Sequence, residues 1–209
     1  MAYSKNKLNE QEKFWKGKFG DDYIYRNKNN SILKSNIHLL NKIKKHIKNS
    51  KSVIEFGCNI GLNLLALKYI NKKIQITGVD INEEAINFLK NQSIAETFNE
   101  SILSIKLKKK YDITFIKGVL IHINPNELNV IYHKLYKHSK KYIYIAEYYN
   151  PTPVKIGYRG HKNKLFKRDF VGEFMDKFKN VKLIDYGFAY HRDKYPQDDL
   201  NWFLLKKDR

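Results

Sequence analysis

A doubly wound α/β fold with a mostly parallel sheet is what this sequence predicts, and three observations predict it. Short apolar runs alternate with helical patterns from residue 53 to residue 178, the order that gives parallel strands covered on both faces. The last two apolar runs, 182–190 and 202–206, have no helical pattern between them, so they pair antiparallel as a terminal hairpin. No Pro/Gly/Ser-rich linker interrupts the chain of 209 residues, and no repeat of about 20–50 residues does either. At about 100–200 residues per domain, that length makes one domain.

The stretch KNKLNEQEK is polar and is expected to fray. Next, FWKGKFGDDYIYRN gathers Phe14, Trp15, Phe19, Tyr23 and Tyr25. An aromatic group that close to a terminus predicts a lid, residues 1–30, packed back onto the body of residues 31–209. Residues 31–48 carry Leu33, Ile37, Leu40, Ile43 and Ile47 at spacings of three and four, with Lys42, Lys44, Lys45 and Lys48 around them, the pattern of one amphipathic helix. Strands follow at 53–56, 74–79, 95–99, 111–117 and 142–147, each a short run bounded by polar or turn residues. Together with the two final runs they make seven. Helices are read at 62–70, 83–91 and 168–178, with Asn82 as the cap of the second. Asn124-Pro125-Asn126-Glu127 reads as another helix start: Asn124 caps, Pro125 takes the first helical position and Glu127 completes a capping box.

Composition excludes several classes. Hydrophobic residues make up 42% and charged residues 29%, which rules against a disordered tail or a fibre. The single cysteine, Cys58, permits no internal disulfide framework and no Cys-rich zinc site; no metal is expected. MAYSKNK lacks the apolar stretch of a secretory signal, and the longest apolar-rich run, 60–70, is broken by Asn63 and Lys68 and too short to span a bilayer. The expectation is a soluble protein of a reducing cytoplasm. The net charge of +19 reads two ways: as a field for nucleic acid, acidic lipid or an anionic metabolite, or as a general use of Lys at ordinary surface positions.

The first strand runs into the second predicted helix through Glu55-Phe56-Gly57-Cys58-Asn59-Ile60-Gly61. Gly57 and Gly61 permit positive φ and close approach of a ligand to the backbone, and Asn59 is the next best residue for a left-handed turn. A GxGxxG dinucleotide fingerprint fails at Asn59 and Leu62, and a phosphate loop fails for want of a Gly at 62 and a following Lys-Ser/Thr. What remains is a carboxylate, Glu55, beside a loop of small residues. It repels a pyrophosphate and suits a cationic ligand. Asp80, 25 positions on in Gly78-Val79-Asp80, is placed to accept hydrogen bonds from two ribose hydroxyls. A ligand with ribose, adenine and a cationic amino-acid arm fits both, and S-adenosylmethionine is that ligand.

This loop, with Gly78-Val79-Asp80, resembles that of the class I S-adenosylmethionine-dependent methyltransferases, whose pattern is acidic-x-Gly-x-Gly-x-Gly; Asn59 stands for the middle glycine. The inferred sheet with its antiparallel hairpin resembles their Rossmann-like fold. A closer likeness spans most of the chain. FWKGKFGDDYIYRN, KGVLIHINPNEL, IAEYYNPTPVKIGYRGHKNKLFKRDF and DYGFAYHRDKYPQDDLNWFLLK resemble the methylases associated with pseudaminic acid biosynthesis, a group marked by genomic neighbourhood and not by a demonstrated reaction.

The resemblance implies that Glu55, Gly57, Cys58, Asn59 and Gly61 line the methionine part, Asp80 holds the ribose and Ile81 packs on the adenine. It implies that Ser101-Ile102 meets the adenine edge, and that Lys117 and Gly118 lie beneath the sulfonium through backbone atoms. Trp15, Tyr23 and Arg26 close over the cofactor in this reading, Arg26 pairing the methionine carboxylate. Methyl transfer is an in-line displacement that needs alignment and water exclusion, with a base where the acceptor holds a proton. His122, just past the fourth strand, is one candidate and Glu147, at the end of the fifth, is the other; each reads equally as a structural residue. The segment 148–169 is long for a strand–helix connection and lies where acceptor recognition is expected. Tyr148, Tyr149, Asn150, Tyr158, Arg159, His161, Arg168 and Asp169 are its candidates, Arg159 and Arg168 for an anionic group, with His191 joining from the other side.

Three functions compete. The first is methylation of a small molecule or glycan precursor, a nonulosonic sugar or its nucleotide-activated form, at oxygen or nitrogen. The second is an RNA or protein methyltransferase using the basic surface; Asn124-Pro125 lacks the second proline and aromatic of the base-amine enzymes. The third is a cofactor-binding scaffold without turnover.

Overall fold

The structure is a computed structural model and describes residues 8–208. Two short helices lead, α1 (Glu10–Lys16) and α2 (Lys18–Asn27), followed by α3 (Asn30–Asn41) and α4 (Lys44–Ile47). The alternating region comprises β1 (Ser52–Phe56), α5 (Leu62–Ile70), β2 (Gln75–Asp80), α6 (Glu83–Asn91), β3 (Glu96–Asn99), β4 (Tyr111–Lys117), α7 (Leu128–His138) and β5 (Ser139–Glu147). A small hairpin, β6 (Val154–Tyr158) and β7 (His161–Lys167), precedes α8 (Phe170–Lys177), β8 (Val181–Ala189) and β9 (Leu200–Lys207).

The seven-stranded sheet has the order β3-β2-β1-β4-β5-β9-β8. Strands β1 to β5 pair in parallel, and β9 inserts antiparallel between β5 and β8. Seven strands, the parallel run and the antiparallel end are as the sequence predicts. The order reverses at β1 and β4, which opens a crevice at their carboxyl ends. Alternation along each strand feeds two cores. Val53, Phe115, Tyr144 and Trp202 face α3 and α5, while Ile54, Ile116, Ile143 and Ile145 face α7 and α8. Each such side chain, fully buried, stabilises the fold by about 1.5–3 kcal/mol, so the strand ends are held rigidly. Among the described residues no helix is long and apolar enough to cross a membrane.

Four local readings are corrected. The helix expected over 31–48 breaks after Asn41. Lys42 and Ile43 donate to carbonyls three residues back, and this tighter turn lets both Ile43 and Ile47 stay buried. Glu127 closes no capping box with Asn124. Asn124 accepts from the Asn126 N–H in a short 3-10 turn (Pro125–Glu127), and Glu127 instead accepts from the side chain of Asn9. Within the stretch expected to fray, α1 begins at Glu10 under a complete Asn9/Glu12 capping box; residues 1–7 lie outside the described residues. The fourth is β6–β7, read as loop. Its two-residue turn, Arg159-Gly160, has positive φ at both positions, as such hairpins require, but Arg-Gly is not the usual signature of that turn.

Candidate active site

The loop from β1 to α5 is wound tightly against the end of β2. The N–H groups of Gly57 and Cys58 both donate to the Val79 carbonyl, at 2.8 and 3.0 Å. Gly57, Asn59 and Gly61 all have positive φ; Asn59 therefore fills the middle-glycine place without leaving the left-handed turn. A side chain at Gly57 would collide with Val119, and one at Gly61 would meet Leu89 at 2.6 Å. Asp80 braces the loop: its carboxylate accepts from the backbone N–H of Asn59 at 2.7 Å and of Asn82 at 2.9 Å. Burial pushes this carboxyl up, and those backbone donors work against the rise.

Glu55 is wholly buried behind the loop. Asn63, in the first turn of α5, donates to its Oε1 at 2.6 Å. Its Oε2 and the Oδ1 of Asn63 are buried with no hydrogen-bond partner among the described residues. Burial pushes the Glu55 carboxyl up to about 8, against the pull of Asn63 and of Lys117. Unpartnered buried oxygens call for a donor, and a cationic one nearby would restore the charge on Glu55.

In front of the loop opens a cavity of about 520 Å³, within the range of small-molecule sites. It brings together Trp15, Arg26, Gly57, Cys58, Asn59, Asp80, Ile81, Ser101, Ile102, Lys117 and Gly118. Glu55 and Gly61 sit behind its wall. Cys58 is buried, its thiol pushed up by burial and donating to the Asn59 carbonyl, so its place is that of a small loop residue. Ser101 Oγ accepts from the Leu103 N–H at 3.1 Å. Glu100 beside it also lines the cavity, an acidic residue that the sequence reading passed over. Lys117 contributes more than backbone: its ammonium is within 3.4 Å of Asn36 Oδ1.

Helices α1 and α2 pack as an aromatic body against this cavity. Phe14 stacks on Phe19 at 4.1 Å between ring centroids, and Trp15 meets Phe19, Tyr23 and His122 at 5.4, 5.3 and 4.7 Å. The Arg26 guanidinium lies over the rings of Phe19 and Tyr23. Polar ties hold these helices to the body, among them the bond of Asn9 to Glu127. Glu10 pairs with Lys164 at 2.6 Å, Gln11 donates to the Asn163 carbonyl at 3.1 Å, and Asn82 donates to Asp21 at 2.6 Å.

Of the expected acceptor residues, His122, Tyr148, Tyr158 and Arg159 line the cavity. Pro196, Gln197 and Asp198, from the β8–β9 connection, join them; the sequence reading had pointed instead to the neighbouring His191. The others are engaged elsewhere. His191 pairs with Asp199 at 2.7 Å, Arg168 with Glu173 at 2.6 Å, and Asp169 caps α8. His161 packs on Phe14 and Phe19 behind the lid, Asn150 donates to the Thr152 carbonyl, and Tyr149 is outside the cavity.

The two candidate bases differ. Glu147 does not line the cavity. Its carboxylate accepts from the N–H of Val119, Leu120 and Ile121 at 3.0, 2.9 and 3.4 Å, so it fastens the turn after β4. His122 lines the cavity, and its Nδ1 donates to the Lys164 carbonyl, which leaves Nε2 as the proton-free nitrogen of a neutral ring. Burial holds its pKa down at about 4. An unfolded His titrates near 6.5, so the unfolded chain takes up a proton first as pH falls. Stability from this residue is therefore present above about 6.5 and lost progressively toward about 4, by about 3 kcal/mol at most. Urea unfolding across that range should show His122→Asn losing less stability on acidification than the unaltered chain; parallel losses would refute the assignment.

The family model described as a methyltransferase domain matches residues 25–203. No curated protein matches the chain. Among solved structures, it is similar to magnesium protoporphyrin IX methyltransferase (ChlM) from Synechocystis PCC 6803 with bound SAM, at 11% identity and a TM-score of 0.68 over 98% of this chain and 100% of that one. It is similar to the plantazolicin methyltransferase BpumL in complex with a desmethylPZN analog and SAH (14% identity, TM-score 0.65, 95% of each chain). The N-methyltransferase NodS from Bradyrhizobium japonicum WM9 in complex with S-adenosyl-l-homocysteine is a third (10% identity, TM-score 0.67, 88% of this chain and 92% of that one). At these identities the likeness is one of fold.

Proposed function

The chain belongs to the methyltransferase-domain family, and from that premise we propose that it moves the methyl group of S-adenosylmethionine to a hydroxyl or amino group of a small acceptor, a nonulosonic acid of pseudaminic type or its nucleotide-activated form. The observation that carries the donor half is Asn63, which lines the cavity with a buried, unpartnered Oδ1 and has the Glu55 carboxyl behind it, one strand away from Asp80. An amino-acid ammonium fits the first place and ribose hydroxyls fit the second. Gly57, Cys58 and Asn59 present backbone to the donor, Ile81 and Ile102 give apolar faces for adenine, and Ser101 with Glu100 gives its polar edge.

When bound, S-adenosylmethionine supplies a methyl group already activated by a positive sulfur. The chain's own task is then to align the acceptor and keep water out. The lid residues Trp15 and Tyr23 cover the cavity, and residues 8–30 act as a unit in doing so. His122 presents an unprotonated Nε2, which orients the attacking group and receives its proton. Tyr148 and Tyr158 offer rings and hydroxyls of the kind that hold a sugar, and Arg159 offers a fork for an anion. The names of the similar structures, with their porphyrin and plantazolicin acceptors, support a small acceptor over a polymer.

The test is incubation with methyl-labelled donor and a panel of nonulosonic sugars, their nucleotides and small RNAs, read by mass. The expected result is a single added methyl on a sugar-containing member. Transfer to RNA alone, with steep salt dependence, would replace this reading with one built on the +19 charge.

A further inference from the structure

Lys117 brings a cationic side chain to the cavity wall. It ends β4 at the switch in strand order and lines the cavity. Burial works against its charge. An ammonium has three N–H donors, yet the hydrogen bond Lys117 makes among the described residues is a long one, 3.4 Å to Asn36 Oδ1. That oxygen is already taken at 3.0 Å by Gln197 Nε2. Glu55, Asp198 and Glu147 lie near enough to favour the charged form, but no carboxylate of the described residues comes within ion-pair distance of it. Lys117 is half-buried, and a lysine drawn out of bulk water is ordinarily paired. Here no carboxylate of the described residues pairs with it, and the residue lines the space a ligand fills, as do Asn36 and Gln197.

We propose that Lys117, assisted by Gln197, is a carboxylate-binding site inside the cavity, completed by a ligand and not by the protein. The chemistry favours a monoanion. A single lysine supplies one positive charge, and the neighbouring Glu55 and Asp198 repel a dianion more strongly than a monoanion. Arg26, the residue first assigned to the methionine carboxylate, has its guanidinium laid over Phe19 and Tyr23 and is itself exposed. Two ligands can bring the carboxylate: the methionine arm of the donor, or an acidic acceptor. This inference rests on the proposed donor and acceptor classes.

The variant is Lys117→Met, which keeps length and removes charge. Lys117 makes one long hydrogen bond and no ion pair among the described residues, so the Tm should stay close to that of the unaltered chain. Calorimetry then compares two ligand pairs. The donor pair is S-adenosylmethionine and its decarboxylated form. The acceptor pair, measured on protein saturated with S-adenosylhomocysteine, is N-acetylneuraminic acid and its methyl ester. Removing one charge-assisted contact weakens binding by about 10- to 100-fold. A loss of that size for S-adenosylmethionine, with the decarboxylated form unchanged, supports the site and names the donor as its ligand. The same contrast on the acceptor pair supports it and names the acceptor. Equal losses within each pair, no loss on either, or no donor contrast with no acceptor binding overturns it. Failure of the unaltered chain to bind S-adenosylmethionine at all would instead overturn the functional reading on which the site rests.

Discussion

Glu55→Gln should leave the chain folded and weaken S-adenosylmethionine binding by about a hundredfold, the loss of a negative charge behind the loop that faces the ligand's cationic arm in a dry site. The fold tolerates the change because the free carboxyl, pushed up to about 8, is already largely protonated at neutral pH, and Gln keeps the oxygen that Asn63 holds at 2.6 Å. The sign of the pH effect follows. The unfolded carboxyl ionises near 4.5 and the folded one near 8, so in that window the folded chain binds more protons and loses stability as pH rises. Gln abolishes that loss, and the variant gains on the unaltered chain from pH 4.5 toward 8. Ligand binding runs the other way, because a cationic ligand selects the ionised carboxylate. Affinity of the unaltered chain should rise with pH up to about 8, and that of Glu55→Gln should stay flat. Calorimetry at three pH values checks both. A hundredfold loss without any difference in pH slope would mean that Glu55 acts by packing alone.

Glu147→Ala should cost about 2–4 kcal/mol of stability and reduce turnover at least tenfold. The substitution leaves three backbone N–H groups of the turn after β4 without their acceptor, and each buried unsatisfied donor carries a penalty of about 1–3 kcal/mol, partly relieved by rearrangement. That turn carries Val119, which packs against Gly57, and His122, so a loosened turn disturbs both ends of the cavity. Glu147→Gln retains one acceptor oxygen and should recover most of both losses. A catalytic base would behave in the opposite way, with Gln as damaging as Ala to turnover and neither reducing stability. Urea unfolding alongside turnover of the two variants separates the cases.

The contrast between Glu55 and Glu147 shows where the sequence was legible. Both are acidic residues closing a buried strand, and their local patterns are alike. For Glu55 the following small-residue loop and the distant Asp80 gave a chemical context, and its place behind a backbone loop follows from that spacing. For Glu147 the context is the turn after β4, twenty-eight residues earlier in the chain and unknowable from the strand itself. The same holds for the acceptor side. Arg159 and Arg168 look equivalent in sequence, yet a two-residue hairpin brings the first to the cavity while α8 holds the second against Glu173.

By itself the sequence determined the seven strands, their parallel run with an antiparallel end, the loop that bends at Gly57, Asn59 and Gly61, and a ligand with a cationic arm. All of these are set by period, turn chemistry or charge within a few residues, and such preferences act locally. Which polar side chain meets the cavity was decided only by tertiary structure. A buried donor or acceptor takes whichever partner packing brings within about 3 Å, and that partner is commonly far away in the chain. So Glu147 became a fastening, Lys117 was left without a counter-ion, and Asp198, in place of His191, came to the rim.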